Sequence, residues 1–140
     1  MPGLNGRGCS SVEYIGKAAA HLHRAGVRVA VFNPRGRGGN PVVSPFMYSA
    51  GYTEELRRVV DRVRAAFPMA CLSAAGYSLG ASYLAKYIGE QGDRCVLAGA
   101  ACFACPARLT LAIERLGVAS RSIFLPTCAS QKRRPQRRQW

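Results

Sequence analysis

Apolar residues follow two patterns along the chain, one typical of amphipathic helices and the other of buried strands. Apolar positions at helical spacing predict three helices, at about residues 11–25, 53–67 and 80–90. Continuous apolar runs predict three strands, at 27–33, 69–75 and 95–103. A last amphipathic segment at 109–116 predicts a further helix, after which the periodicity ends.

The order of these elements predicts the fold class. Helices and strands alternate, and the strands are continuously apolar instead of alternating between apolar and polar residues. Such strands are typical of a parallel sheet that is buried on both sides and joined by right-handed crossovers. The sequence therefore predicts an α/β protein with a parallel sheet and helices on both faces.

Two helix starts carry polar signals. Ser10 and Glu13 have the spacing of a capping box before the first helix, which Gly26 ends. Thr53 is predicted to cap the second helix, with two glutamates in the positively polarised first turn. Pro68 is predicted to end that helix.

Composition and charge divide the chain. With 140 residues, 49% of them hydrophobic and 19% charged, the chain can bury a core, which excludes disorder throughout. The net charge is +13, and residues 117–140 contribute six basic residues and no acidic one. We expect one domain over 1–116 and a disordered basic tail over 117–140. A nucleic-acid or anionic-membrane contact is the alternative for this tail.

Six cysteines are too few for a disulfide scaffold in a chain of this length, and we expect free, buried thiols in a reducing compartment. Cys102 and Cys105 have the C-x-x-C spacing of a zinc or redox motif. No second pair or histidine follows them for a zinc site, and no helix start follows to lower a thiol pKa for a redox motif, so we interpret them as core residues and expect no metal or cofactor. Residues 1–14 lack the apolar run of a signal peptide, and the apolar run at 95–105 is too short for a bilayer. These features predict a cytoplasmic protein.

One motif carries chemistry. Gly76-Tyr77-Ser78-Leu79-Gly80 fits G-x-S-x-G, follows a predicted strand and opens a predicted helix, which is the context of a nucleophile elbow. Such a turn exposes the serine hydroxyl and strains its backbone, and side chains at positions 76 and 80 are expected to collide with neighbouring elements.

A nucleophilic serine needs an oxyanion hole. The amide after the serine, that of Leu79, is one expected donor. The second is expected from a glycine-containing loop before the first helix, for which Gly3-Leu4-Asn5-Gly6 is the candidate.

These motifs together resemble the α/β-hydrolase superfamily, in particular its abhydrolase-domain branch of esterases and lipases. Beside the elbow, the resemblance rests on residues 2–6, 32–36, 40–41, 48–56 and 84–87, and it covers about residues 2–115. It implies that Ser78 is the nucleophile, that Leu79 and Leu4 supply the oxyanion amides, and that the substrate is an acylglycerol or another acyl lipid.

The chain departs from this family in its catalytic partners. In the superfamily the acid and the histidine follow the serine. No histidine follows Ser78, and His21 and His23 precede it on a predicted helix, where we interpret them as exposed. Asp93 is predicted at the opposite end of the sheet from the elbow, and Glu114 lies along a predicted helix.

The family's strand before residues 2–6 has no counterpart in this sequence, although it would lie between the strands at 27–33 and 69–75. A vacant strand position leaves backbone groups unpaired. We therefore expect a piece of a serine hydrolase, catalytically incomplete in this form, with an acyl ester or lipid as its substrate.

The alternative is a nucleic-acid-binding protein that uses Arg35-Gly36-Arg37-Gly38-Gly39 and the basic tail. Because Arg35 and Gly36 already fit the hydrolase loop and Trp140 is the tail's one aromatic residue, we expect no nucleic acid as a partner. Peripheral membrane contact through the tail stays open.

Overall fold

The structure is a computed structural model, and it describes residues 12–38, 40–41, 43, 51–106 and 108. These residues fall into two compact units. The helix unit contains the described residues up to 43, and the sheet unit contains residues 51–106 and 108. The predicted helix at 109–116, the tail and the domain boundary between 116 and 117 lie outside the described residues.

The helix unit contains α1, which spans Glu13–Arg24. Its N-cap is Val12, without a side-chain cap, and Glu13 instead forms an exposed ion pair with Lys17 at 2.6 Å. The predicted capping box is therefore wrong, and Ser10 itself lies outside the described residues. Gly26 has a positive φ of 80° and follows the helix end, as predicted.

Residues 27–33, predicted as a buried strand, form no strand in the structure. Val27 and Val31 keep 47% and 37% of their surface exposed. An apolar run forms a strand only where a neighbouring backbone supplies its hydrogen-bond partners. Among the described residues no strand pairs with this segment, so its apolar composition alone does not make it a strand.

A loop follows, described for residues 34–38 and 40–41, as the glycine-rich stretch predicts. The amide of Arg37 donates to the carbonyl of Pro34 at 3.0 Å, and the side-chain amide of Asn40 donates to the carbonyl of Asn33 at 2.7 Å. Gly36 and Gly38 have positive φ angles of 72° and 60°. Only glycine adopts such angles without strain, so these bends depend on it.

The sheet unit is a parallel α/β arrangement. In chain order it contains α2 (Glu54–Ala66), β1 (Ser73–Tyr77), α3 (Leu79–Gln91), a short 3₁₀ helix (Gly92–Arg94) and β2 (Gly99–Phe103). The two strands pair in parallel, with Ser73 opposite Gly99 and Tyr77 opposite Phe103. The predicted α/β class and the parallel pairing are confirmed.

Both strands are shorter than the apolar runs that predicted them. A turn occupies residues 68–70, with the Ala70 amide donating to the Phe67 carbonyl at 3.1 Å, so β1 begins at Ser73. The 3₁₀ helix takes up residues 92–94, and β2 begins at Gly99. Pro68 ends α2 as predicted, and its missing amide favours the turn.

Helix α3 covers one face of this sheet. The Cys102 thiol lies 3.5 Å from the carbonyl oxygen of Ala81, which places Cys102 and its register partner Gly76 on the face towards α3. Ser73, Tyr77 and Phe103 lie on the other face, because side chains alternate along a strand. Among the residues of the sheet unit that the structure describes, α2 and α3 share the core on the α3 side.

The core of the sheet unit lies between α2, α3 and the strands. Val60, Leu84 and Tyr87 are at most 7% exposed. Partly buried apolar residues surround them: Leu56, Leu72, Ala74, Ile88, Cys95 and Leu97. Burial raises the pKa of Tyr87, and the charges of Cys95 and Asp61 raise it further, because both disfavour a phenolate.

Polar contacts join the start of α2 to the end of α3. The hydroxyl of Thr53, a residue that is 5% exposed, donates to the Glu90 carboxylate, and Lys86 pairs with the same carboxylate at 2.6 Å. An Arg57 amino group donates to the side-chain oxygen of Gln91 at 3.2 Å. Thr53 is the N-cap residue of α2 as predicted, but its hydroxyl bonds to α3 and caps nothing.

These contacts predict an acid-sensitive fold. The hydrogen bonds from Lys86 and Thr53 hold the pKa of Glu90 below its ordinary value of 4.5. A lowered pKa in the folded state stabilises the fold above pH 4.5, and this contribution is lost as the pH falls through the folded-state value. Glu90→Gln should therefore flatten the decrease in unfolding free energy below pH 4.5, measured by urea denaturation across pH.

Thr53→Val serves as the partner variant in that experiment. It removes one of the two hydrogen bonds to the carboxylate, so it should reduce the acid dependence without abolishing it. If neither variant changes the acid dependence, Glu90 does not contribute to it.

Candidate active site

Ser78 lies at the junction between β1 and α3, in a conformation that few non-glycine residues adopt. Its φ and ψ are 54° and −124°, and it directly precedes Leu79, the first residue of α3. The residue is exposed. Such an outlier persists only where its surroundings hold it, and strained backbone of this kind is common at functional sites.

Three backbone hydrogen bonds hold this junction. The Ser78 amide donates to the Phe103 carbonyl at 2.9 Å, which continues the ladder one residue beyond β1. The Ser78 carbonyl accepts from the amides of Ala81 at 2.9 Å and Ser82 at 3.3 Å. The backbone of Ser78 is therefore fixed from the neighbouring strand on one side and from the first turn of α3 on the other.

Gly76 is the glycine that the junction requires for space. A Cβ atom there would lie 2.6 Å from the Gly80 carbonyl oxygen and 2.7 Å from the Ala81 Cα. Gly80 differs from the expectation, because a Cβ atom on it would meet nothing within 4 Å. The expected collision at position 80 is wrong, because a Cβ atom there would point into open space among the described residues.

The amides directly after Ser78 are the first amides of α3. Leu79 and Gly80 are the first two residues of α3, where amides have no acceptor within the helix. The helix dipole adds positive potential at this end. The second expected donor, Leu4, lies outside the described residues, so the complete hole stays a prediction.

An aromatic pair, Tyr77 and Phe103, lies beside the junction and was not predicted from the sequence. The rings of Tyr77 and Phe103 stack with their centroids 4.9 Å apart and their planes at 16°. Phe103 is 48% exposed, so this pair presents an apolar surface next to Ser78. The pair follows from the strand register, because Phe103 ends the strand that is parallel to the one that ends at Tyr77. Apolar runs in the sequence do not specify this register.

The thiols of Cys102 and Cys105 and the hydroxyl of Ser82 lie at the first turn of α3. The Ser82 hydroxyl is 3.7 Å from the Cys105 sulfur and donates to the Pro106 carbonyl at 3.3 Å. The described cysteines are all free, as predicted, but Cys71 and Cys102 are exposed. The expectation of buried thiols is wrong for these two, because the short strands leave their ends accessible.

Three of the four other candidates are among the described residues. Asp93 is in the 3₁₀ helix before β2, at the opposite end of the sheet from Ser78, as predicted. His21 and His23 are exposed in the last turn of α1, also as predicted. Glu114 lies outside the described residues. Within the described ranges no three metal-binding side chains cluster, and no helix is long and apolar enough to cross a membrane.

Comparisons with known proteins identify relatives. The embryogenesis-associated protein EMB8 of Picea glauca is 37% identical over 114 residues, which are 81% of this chain and 24% of that protein. Phospholipase ABHD3 of Homo sapiens is 36% identical over 103 residues, 74% of this chain and 25% of its own length. The medium-chain fatty acid ethyl ester synthase/esterase 2 of Saccharomyces cerevisiae is 34% identical over 110 residues, 78% and 24% of the two chains.

The chain thus spans about a quarter of the length of these relatives. No protein-family model matches the chain, and no solved structure matches it. The similarity agrees with the G-x-S-x-G junction between a parallel strand and a helix. The chain belongs to the α/β-hydrolase superfamily, in its abhydrolase-domain branch of esterases and lipases.

Proposed function

We propose that this chain carries the nucleophile of a serine hydrolase that cleaves carboxylic esters of acyl lipids, and that Ser78 is this nucleophile. The observation that carries the proposal is the strained, exposed Ser78 between β1 and α3. Two of its relatives support the ester class, since one is named as a phospholipase and one as an ethyl ester synthase/esterase.

The reaction would be an acyl transfer through the Ser78 hydroxyl. The Ser78 oxygen attacks the ester carbonyl carbon, its proton leaves to a base, and the negative charge moves to the carbonyl oxygen. The Leu79 amide, at the positive end of α3, would donate to that oxygen. The alcohol then leaves with a proton, and water later hydrolyses the acyl-enzyme.

The base is the part of this mechanism for which the sequence after Ser78 offers no histidine. A triad histidine normally follows the serine in this superfamily, and none follows Ser78 in this sequence. Removing a triad member leaves about 10³- to 10⁴-fold catalysis over water, which depends on the oxyanion hole and on binding. We therefore expect this form of the protein to turn over esters very slowly.

Covalent labelling tests the proposal without requiring turnover. Incubation of the 140-residue chain with excess alkyl fluorophosphonate should give one adduct, slowly, and peptide mass spectrometry should place it on Ser78. Ser78→Ala should abolish this adduct. A phosphonyl group bonds to a serine oxygen only where the hydroxyl is accessible and neighbouring amides stabilise the charge that develops.

Ser73→Ala is the matched control, because Ser73 is an exposed serine on the same strand, β1. It should leave the rate and the position of labelling unchanged. The absence of any adduct on Ser78, or equal labelling of Ser78→Ala, would contradict the proposal.

A further inference from the structure

The end of β2 carries two thiols that the proposed mechanism does not use. Cys102 is exposed and Cys105 is half-buried, and both are free. They are three residues apart, with Ala104 between them in a left-handed conformation at a φ of 49°. Ser78 and Ala104 are the two non-glycine residues with positive φ in the part of the chain that the structure describes.

The bend at Ala104 directs both thiols towards the same turn of α3. The sulfur of Cys102 lies 3.5 Å from the carbonyl oxygen of Ala81, and the sulfur of Cys105 lies 3.7 Å from the hydroxyl of Ser82. In a fully extended strand a side chain three residues on would point to the opposite face. The bend at Ala104 therefore brings the two sulfurs to the same side, against neighbouring residues of one helix.

We propose that Cys102 and Cys105 are a redox modification site, at which a small-molecule disulfide converts the two thiols into one intramolecular disulfide. A disulfide needs its two Cα atoms within about 7 Å of each other, and the bend at Ala104 shortens the span between these two residues. The exposure of Cys102 makes it the thiol that the oxidant reaches first. This inference does not depend on the proposed function.

The exchange balances with oxidised glutathione as the oxidant. The Cys102 thiolate attacks one sulfur of oxidised glutathione, which forms a mixed disulfide and releases one reduced glutathione. The Cys105 thiolate then attacks the Cys102 sulfur, which forms the protein disulfide and releases a second reduced glutathione. The protein loses two protons and two electrons, and the two molecules of reduced glutathione take up all four.

The bond would lie next to the turn that holds Ser78. Both thiols contact residues whose amides donate to the Ser78 carbonyl, namely Ala81 and Ser82. Oxidation removes the Cys102 hydrogen that points to the Ala81 carbonyl. The modification therefore changes the contacts of the first turn of α3, one residue beyond Leu79 and Gly80.

Equilibration of the reduced full chain in glutathione buffers tests the proposal. After acid quenching and alkylation with N-ethylmaleimide, mass spectrometry should find a disulfide between Cys102 and Cys105. It should find no intramolecular disulfide that includes Cys71. In Cys105→Ser the second step cannot occur, so Cys102 should keep a glutathione adduct. Cys71→Ser is the matched control, since Cys71 is also exposed. In this variant Cys102 and Cys105 should form their disulfide at the same glutathione ratio as in the wild type.

Repeating the titration in urea separates the folded geometry from the C-x-x-C spacing alone. If the bend and α3 hold the thiols together, unfolding should lower the equilibrium constant for the disulfide by roughly tenfold. The proposal is overturned if wild-type Cys102 and Cys105 stay reduced, or carry glutathione without a bond between them, at every glutathione ratio. A bond from either thiol to Cys95, or an equilibrium that urea leaves unchanged, would also overturn it.

Discussion

Gly76→Ala is expected to destabilise the sheet unit by about 2–3 kcal/mol, because the new methyl group has no space to occupy. Its Cβ would lie 2.6 Å from the Gly80 carbonyl oxygen, 2.7 Å from the Ala81 Cα and 2.9 Å from the Ala81 amide nitrogen. All three atoms are backbone, so no side-chain rotation relieves the overlap. Only a displacement of α3 from β1 makes room, and that displacement loosens the contacts around Ser78.

Gly80→Ala is the matched control for this variant. The same methyl group at position 80 meets nothing within 4 Å, and position 80 is helical. Alanine is favoured over glycine inside a helix by about 0.8–1.0 kcal/mol. Urea denaturation of the two variants should therefore give changes of opposite sign. Equal destabilisation by both would show that the spacing between β1 and α3 does not depend on Gly76.

Fluorophosphonate labelling of the same pair connects this packing to the site. A shift of α3 moves the Leu79 amide relative to Ser78, and stabilisation of an oxyanion depends on donors that lie within about 2.7–3.1 Å of it. Gly76→Ala should thus label more slowly than the wild type even at temperatures where it remains folded, whereas Gly80→Ala should keep the wild-type rate.

The sequence predicted those elements best whose signals are local. Apolar residues at helical spacing placed α1, α2 and α3 within a few residues of their bounds, and Pro68 and Gly26 marked ends that the backbone must respect. The junction at Ser78 was also found from sequence, because five consecutive residues determine where the strand turns into the helix.

The predictions that failed depend on partners distant in sequence. Residues 27–33 have the composition of a buried strand, but a strand also requires a paired neighbour, which no local pattern guarantees. Ser10 and Glu13 have capping-box spacing, yet α1 begins after Val12 and Glu13 pairs with Lys17. The Thr53 hydroxyl bonds to Glu90, 37 residues away.

The same division applies within the site. Ser78 and Leu79 are adjacent in sequence, and their arrangement follows from the motif. Phe103 holds the Ser78 amide and stacks on Tyr77, but its position depends on the register of β1 against β2, which apolar runs do not specify. The closeness of Cys105 to Ser82 depends on the bend at Ala104, and an alanine in the sequence does not predict a bend.

Leu84→Ala is the second substitution expected to have a large effect, with a loss of about 2–4 kcal/mol of unfolding free energy. Leu84 is 4% exposed and belongs to the cluster with Val60 and Tyr87 that joins α2 to α3. Truncation removes buried apolar surface and leaves a cavity that the surrounding side chains fill only partly. Folded domains are stabilised by about 5–15 kcal/mol in total, so this loss is a large fraction of what holds the unit together.

Hydrogen exchange in α3, followed by mass spectrometry, is the measurement that locates this effect. Leu84→Ala should speed exchange in peptides of α3 by roughly 30-fold or more, since each 1.4 kcal/mol is a factor of ten in the opening equilibrium. Val96→Ala is the control from the same unit, because Val96 is 40% exposed and should tolerate truncation with little change. Equal acceleration by the two variants would mean that burial in this cluster does not determine the stability of α3.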